Sequence, residues 1–295
     1  MLSKSVIELL SMNHQSPFQV FANLRYAVFQ RSTLLLNIHA LPSHNQRLSN
    51  ESFSLTSGAG CDIFQHGASE KRSARIDTVD LTELSITYEV RVETNPDARE
   101  IYDTRQLPIT EMELSTLDYL FPSRYCESDL MGLLAAKLFG HIAHPLAQAR
   151  AISDWVFENI DYVVGSTGGA TSAHDTLTQR AGVCRDFAHL AIALCRALSI
   201  PARYFSGYAC NMQPPDFHAC FEACVGNRWF IFDPTRLSSP NGLIRIASGR
   251  DAADTSFATI FGAMEMELLE VSCTAEHFEP LSQRTLEGKA ILLEP

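Results

Sequence analysis

The segment from Phe217 to Pro234 constrains the fold of this chain more than any other. Two runs rich in aromatic and branched residues, Phe217 to Val225 (FHACFEACV) and Arg228 to Pro234 (RWFIFDP), are separated only by Gly226 and Asn227. A two-residue connection of this composition between such runs predicts a β-hairpin. Pairing Val225 with Arg228 carries Cys220 opposite Asp233 and places His218 diagonally one pleat further along the same face. Diagonal neighbours are within reach of an imidazole and a carboxylate. A slip of one residue would send His218 and Asp233 to opposite faces, so the turn decides whether the two can meet.

Upstream, Cys184 follows Ala181, Gly182 and Val183 and opens the run CRDFAHLAIALCRALSIP, with apolar residues at 187, 190, 191, 194, 195 and 198. That spacing is helical, and Pro201 closes it. A cysteine in the first helical turn faces unpaired backbone N–H groups and the positive end of the helix dipole, which favour thiolate over thiol. The same N–H groups can hold an oxyanion. Cys184, His218 and Asp233 therefore stand in the chain order of a nucleophile triad, in which a thiolate attacks, an imidazole transfers protons and a carboxylate orients the ring. Two other readings compete. Free cysteine is among the most buried residue types, and Cys195, on the buried side of the helix, reads as packing. His218, Cys220, Cys224 and Asp233 share a strand face and have the side-chain types of a zinc site, but no CxxC pair is present and strand-alternate ligands are crowded. Neither a metal nor a cofactor is expected.

The stretch AGVCRDFAHLAIALCRALSIPARYFSGYA (181–209), followed by DFHACFEA (216–223) and FIFDPTR (230–236), resembles the core of the bacterial transglutaminase-like superfamily. The resemblance implies a papain-like catalytic domain and puts the triad roles on Cys184, His218 and Asp233. It also makes Tyr208, in the SGY segment, a candidate substrate-binding residue of the cleft. The first hundred residues, including STLLLNIHALPSHNQRLSN (32–50), are similar to the β-rich domain that precedes the catalytic domain in many bacterial members. Two departures stand out. Ser199 occupies a turn position where the family often has glycine, and Cys220 stands two residues after the histidine, where an aromatic residue is frequent. The second change is expected to reshape the acyl pocket.

The rest of the chain fits this frame. Residues 18 to 28 alternate, with Phe18, Val20, Ala22, Leu24, Tyr26 and Val28 on one side, and so do Leu84, Ile86, Tyr88, Val90 and Val92. Shorter runs near 33–41, 51–56, 61–66 and 73–79, punctuated by Pro42, Asn45 and Gly58, have the spacing of a β-sandwich. The polar stretch 95–108 reads as a linker. The expected organisation is thus an N-terminal antiparallel β-sandwich with leader and linker over 1–108 and a catalytic domain over 109–295. Helical patterns follow at 129–139 and 145–160, the latter with Pro145 at its first position and an apolar stripe of Leu146, Ala149, Ile152, Val156 and Ile160. The glycine-rich loop 165–169 has no lysine after its glycines, so it is no phosphate loop and reads as a flexible border of the cleft. Ser172 is a plausible N-cap for a short helix to Arg180, on which His174 is read as a surface residue. Gly207 suits a close backbone approach. Residues after 240 show only short strand-like runs, 243–247 and 265–271, which complete the sheet or cover the cleft. The fold class expected is α+β, with the nucleophile helix packed on an antiparallel sheet that carries His218 and Asp233.

Thirty-four acidic against 23 basic residues give a formal charge of −11, and no run of Lys or Arg interrupts it. That balance disfavours nucleic acid and anionic membranes as partners. The N-terminus lacks a continuous apolar signal region and nowhere do eighteen apolar residues run together, so a cytoplasmic protein is expected. Eight irregularly spaced cysteines then read as reduced thiols. The expected activity is acyl transfer from a peptide or protein amide through a thioester. Resolution by water makes the enzyme a peptidase or amidase, the outcome expected here, and resolution by an amine makes it a crosslinking transglutaminase. An arylamine acetyltransferase uses the same triad types, but the RYFSGY and FDPTR context favours the transglutaminase-like group. A catalytically silent binding module is the rival of a different class. The oligomeric state is not set by these features.

Overall fold

The computed structural model describes residues 17–65, 71–101, 104–105, 107–282 and 285–293. Seven strands come first: β1 (Phe18–Val28), β2 (Thr33–Leu36), β3 (Gln46–Leu55), β4 (Gly60–Gln65), β5 (Arg72–Asp77), β6 (Glu83–Thr94) and β7 (Asp97–Glu100). Helices α1 (Leu114–Leu117), α2 (Gly132–Phe139) and α3 (Pro145–Asn159) follow. The short strand β8 (Asp161–Tyr162), helix α4 (Ala173–Gln179) and strand β9 (Ala181–Gly182) lead into α5 (Cys184–Ala197). Then come β10 (Ala202–Ala209), β11 (His218–Val225), β12 (Arg228–Phe232), β13 (Leu243–Gly249), the single turn α6 (Ala252–Thr255), β14 (Ala258–Phe261), β15 (Met264–Thr274) and β16 (Lys289–Leu292).

The alternating apolar residues of β1 and β6 are buried on one face and pair antiparallel at the centre of a sheet ordered β15-β1-β6-β3. A second sheet, β14-β2-β5-β4, contributes Leu34, Leu36, Ala74 and Ile76 to the same buried cluster, giving the expected β-sandwich. Its outer strands come from an unexpected place, because β14 pairs with β2 and β15 with β1. In the other direction β7, inside the polar stretch read as a linker, pairs with β16 at the edge of the catalytic sheet. Segments on both sides of residue 108 therefore share sheets. Strand β3 begins at Gln46, earlier than its pattern predicts, since an edge strand with most of its side chains in solvent shows little hydrophobic period. The buried Gln46 amide donates to the carbonyls of Leu41 and Arg245 and accepts from the Arg245 N–H, joining the sandwich to β13.

The catalytic sheet is antiparallel throughout, in the order β13-β10-β11-β12-β16-β7. The β11–β12 hairpin has the predicted register, from Val225 opposite Arg228 to Phe221 opposite Phe232. Gly226 and Asn227 both take positive φ, 65° and 59°, as a type I′ turn requires. One face of the sheet, with Phe221, Ala223, Phe230 and Phe232, packs against α2, α3 and α5. The α3 stripe Leu146, Ala149, Ile152 and Val156 is fully buried there. Its larger members each stabilise the fold by roughly 1.5–3 kcal/mol. The chain leaves α5 through Ser199, whose φ is +60°, while the Ile200 N–H donates to the Cys195 carbonyl at 3.0 Å. That left-handed position is where a glycine fits without strain, which accounts physically for glycine being frequent there. The opposite face of the sheet buries Glu222 between Arg203 (2.7 Å) and Arg245 (2.6 Å). Burial opposes the charge on Glu222, but the two guanidiniums outweigh it and hold the carboxyl down at about 2.

Candidate active site

Strand β8 pairs parallel with β9 and so fixes the chain that runs into α5. The Asp186 carboxylate accepts from the Val183 N–H at 2.9 Å and pairs with Arg185 at 3.0 Å, capping the first turn. Cys184, half-buried, is the first residue of that helix. Upstream, α4 starts at Ser172, whose hydroxyl accepts from the Asp175 N–H while Asp175 accepts from the Ser172 N–H, a reciprocal cap.

His218 opens β11 opposite Gly207 of β10. A side chain at Gly207 would bring Cβ within 2.3 Å of the Ile244 carbonyl oxygen, so only glycine lets the strands approach here. The His218 Nε2–H donates to Asp233 Oδ2 at 2.9 Å, and both residues are buried. Asp233 also accepts from the Thr235 N–H (2.9 Å), the Thr235 hydroxyl (2.7 Å) and the Ser238 N–H (2.9 Å). Burial would lower the His218 pKa. The Asp233 charge, then Cys220, with hydrogen bonding to Asp233 and Cys184, overcome that and hold the imidazolium well above the ordinary 6.5. Burial likewise raises Asp233, and the His218 cation with the Thr235 donors brings it below its ordinary value. Since Nε2 is taken by Asp233, Nδ1 is the ring nitrogen left for Cys184.

The structure thus brings Cys184, His218 and Asp233 together. Tyr208 is elsewhere: it is fully buried in the sandwich core, and its hydroxyl donates to the Ile38 carbonyl at 2.6 Å. The expectation that it touches substrate is corrected accordingly. Tyr208 supports the cleft from behind, with its ring 5.4 Å from that of Phe217. Cys220 is also fully buried, and burial, then the Asp233 charge, push its thiol up to about 12. It does not line the cleft that holds Cys184, so the change expected to reshape that surface lies behind it. Candidate ligand atoms of His218, Cys220 and Asp233 lie within 4.8 Å of one another. However, the Asp233 oxygens already accept four hydrogen bonds, and a cation among the three would displace the His218–Asp233 bond. The arrangement fits an oriented imidazole better than a metal centre.

Sequence reasoning passed over two residues. Tyr162, on β8, places its hydroxyl against the Cys184 backbone N–H, and its pKa is pushed up to about 12 by burial and then by the Cys184 charge. Only its pairing with Gly182, two residues before Cys184, brings it there, and nothing in DYVVG signals that. His189, on α5, is fully buried, accepts from the Ala252 N–H at 3.1 Å and stacks on Tyr125 at 5.0 Å. Burial, with Arg185 and Arg196 nearby, keeps it neutral, its pKa well below 6.5. It braces a cleft of about 400 Å³ that includes Cys184, His218, Tyr125 and Ala252 in its walls. Gly169, from the expected bordering loop, lines it as well.

A helix carrying a cysteine at its start, packed on an antiparallel sheet with a His–Asp pair, has the architecture of papain-like transglutaminase cores. Residues 133–234 match the transglutaminase-like superfamily, and residues 16–115 match the bacterial transglutaminase N-terminal domain. A solved structure from Cytophaga hutchinsonii, provisionally described as a cysteine protease, superposes with a TM-score of 0.91. It is 41% identical, over 95% of this chain and 98% of that one. The chain belongs to the transglutaminase-like superfamily and carries the bacterial N-terminal domain ahead of its core. An uncharacterized protein of Mycobacterium leprae is 30% identical over 59% of this chain and 66% of its own length. One of Mycobacterium tuberculosis is 30% identical over 46% of this chain and 49% of its own. The chain thus spans about half to two thirds of the curated relatives it matches. Among the described residues no helix is long and apolar enough to cross a membrane.

Proposed function

We propose that this protein is a cysteine-nucleophile acyl-transfer enzyme that cleaves peptide or protein amide bonds through a thioester, with water as the main acceptor. The observation that carries the reading is the buried His218–Asp233 pair beside Cys184 at a helix start that opens into a cleft. In this reading the Cys184 sulfur attacks the amide carbonyl carbon and the carbonyl electrons move to oxygen. The Tyr162 hydroxyl, itself accepting from the Cys184 N–H, donates to that oxyanion. As the C–N bond breaks, His218 Nδ1 gives its proton to the departing nitrogen, leaving a thioester and a free amine or ammonia. Water then loses a proton to Nδ1 and attacks, the C–S bond breaks, and the acid leaves. Asp233 keeps the proton on Nε2 throughout, so Nδ1 is always the nitrogen that exchanges.

The β-sandwich ahead of the core supports a peptide or protein donor over a small amide, and the half-buried position of Cys184 leaves the thioester accessible to water. The test incubates the enzyme with a peptide library and a labelled primary amine, traps the acyl-enzyme on Cys184 by acid quench, and weighs free acid against amide product by mass spectrometry. Acid product that disappears in Cys184→Ala supports the reading. Dominant amide product at millimolar amine reassigns the enzyme as a crosslinking transglutaminase, and no adduct or product from any donor leaves a silent binding module.

A further inference from the structure

The far wall of the cleft is built by the segment between β13 and β15, which also reaches back to pair with the sandwich. Phe257 from that segment stacks on Phe217, the neighbour of His218, with ring centroids 5.1 Å apart and planes 24° from parallel. Tyr204 and Ile246 continue the apolar surface on the sheet side. Several polar groups of the wall are already engaged. Asn37 donates to the Ser256 carbonyl and accepts from the Ser73 hydroxyl. Arg185 is held by Asp186 and the Gly168 carbonyl, and the Ser256 hydroxyl donates to the Ala258 carbonyl. Asp216 is the carboxylate of the lining, and it is exposed at the rim. An acidic side chain entering the interior would shed water and meet only Arg185, already paired with Asp186, whereas an apolar one would lose only its hydration. The volume, about 400 Å³, lies toward the lower end of the roughly 300–1,000 Å³ of ligand pockets. It holds one large side chain and its flanking backbone.

Resting on the acyl-transfer reading above, we propose that this cleft is a specificity pocket for a large apolar side chain, aromatic or branched aliphatic, in the acyl-donor segment of a peptide, with Phe257 and Phe217 as its recognition surface. The pocket selects the donor beside the bond that Cys184 attacks, and neither a glutamine nor an acidic side chain is its preferred occupant.

The experiment uses acetylated tripeptide amides that differ only at one position, occupied in turn by Phe, Leu, Ala, Gln, Lys or Asp, with that position moved across the peptide. Product formation is followed with the parent, Phe257→Ala and Ala253→Trp; the last fills the cleft from an exposed position and keeps the test valid if the first variant folds poorly. Binding of the same peptides to Cys184→Ala is measured by calorimetry. The expected result is a kcat/KM for Phe or Leu at least thirtyfold above Asp and fivefold above Ala, with the Phe-to-Ala ratio reduced at least threefold in both variants. Turnover without that ranking, or a ranking led by Lys, Gln or Asp, overturns the pocket and leaves the acyl-transfer reading intact. Binding to Cys184→Ala in the expected order, with no turnover by the parent, upholds the pocket and removes the acyl-transfer reading. No binding of any peptide up to 10 mM, on the order of the weakest measurable affinities, overturns the pocket.

Discussion

Replacing Asp233 by asparagine isolates the interaction on which the site's chemistry depends. The carboxylate accepts from His218 Nε2, the Thr235 N–H, the Thr235 hydroxyl and the Ser238 N–H. An amide of the same shape has one accepting oxygen and two donating hydrogens. If that oxygen stays with Thr235, the NH2 group faces two other donors, and the ring can relieve the conflict only by moving its proton to Nδ1, which removes the base from the Cys184 side. If the amide turns over, His218 is satisfied but Thr235 is not, and the imidazolium still loses its counter-charge. Either outcome withdraws the Asp233 charge, the main influence that opposes the effect of burial on the cation. General acid–base assistance and correct tautomer selection are each worth about 10²–10⁴-fold, so turnover should fall by a similar factor, roughly 3–5 kcal/mol of barrier. The unsatisfied donor costs about 1–3 kcal/mol of stability.

Two measurements read this out. Peptide-amide turnover gives the rate, and ¹⁵N NMR of the ring nitrogens gives the protonation state without any substrate, His218 being assigned by its loss in His218→Gln. In the parent the ring should stay protonated on both nitrogens well above pH 6.5, and in Asp233→Asn its pKa should fall, because burial is then opposed only by Cys220 and Cys184. The sign for stability follows from the same shifts. The raised His218 value contributes stability fully present below pH 6.5 and lost as pH rises through the folded-state value; the lowered Asp233 value contributes stability present above pH 3.8 and lost as pH falls through its folded-state value. Between those limits the pair stabilises the parent, and the variant's stability should vary less with pH. Turnover within about threefold of the parent, a barrier change below roughly 0.7 kcal/mol, together with an unmoved His218 titration, would refute the reasoning.

Other substitutions test separate parts of the account. Limited iodoacetamide labelling with peptide mapping should modify Cys184 first, because six of the other cysteines are buried and burial and Asp62 raise the pKa of the exposed Cys61; earlier labelling of Cys61 or Cys220 would remove Cys184 as the nucleophile. Tyr162→Phe should lower turnover by about 10–10³-fold with little change in KM, since it removes one oxyanion donor, and a loss confined to KM would show that the hydroxyl only binds substrate. Ser199→Gly should raise stability to urea by about 1 kcal/mol, relieving the left-handed backbone at +60°. Glu222→Gln should cost roughly 3–5 kcal/mol at neutral pH by leaving two buried guanidiniums without their anion. The parent's contribution from Glu222 is present above about pH 4.5 and lost as pH falls toward about 2, so the variant's acid unfolding limb should be flatter.

The parts of this molecule that were legible in the sequence are those whose information is local. The Gly226–Asn227 turn sets the register of Phe217 to Pro234, and that register alone brings His218 to Asp233. The apolar spacing after Cys184 sets α5, and the Ser172 cap sets α4. Tyr208 misled because its place in an SGY segment says nothing about which part of the molecule covers that end of β10. Four residues apart on that strand, Tyr204 reaches the cleft whereas Tyr208 sits in the sandwich core. Tyr162 was invisible for the complementary reason, since its importance lies in a two-residue parallel pairing with β9.

The residues after 240 carry the largest part of what the sequence did not reveal, and their physical situation explains both the silence and the consequence. Strands β14 and β15 have most of their side chains exposed, with few buried positions to set a period, and their partners lie more than two hundred residues earlier in the chain. A segment that returns to close the N-terminal sandwich must cross from the catalytic sheet to the second sheet of that sandwich. The crossing runs through α6 to Phe257, along the wall of the cleft. The wall opposite Cys184 is therefore anchored at both ends, to β13 on the catalytic side and to β2 on the sandwich side. Substitutions that loosen the β14–β2 pairing should widen the cleft without touching Cys184, His218 or Asp233. Thr33→Pro removes a backbone donor from β2 at its pairing with Phe261 and Asp77, and should weaken the Phe-to-Ala preference more than it slows turnover of the alanine peptide. Equal loss on both peptides would mean that the sandwich supports the fold as a whole and leaves the shape of the pocket to the catalytic sheet.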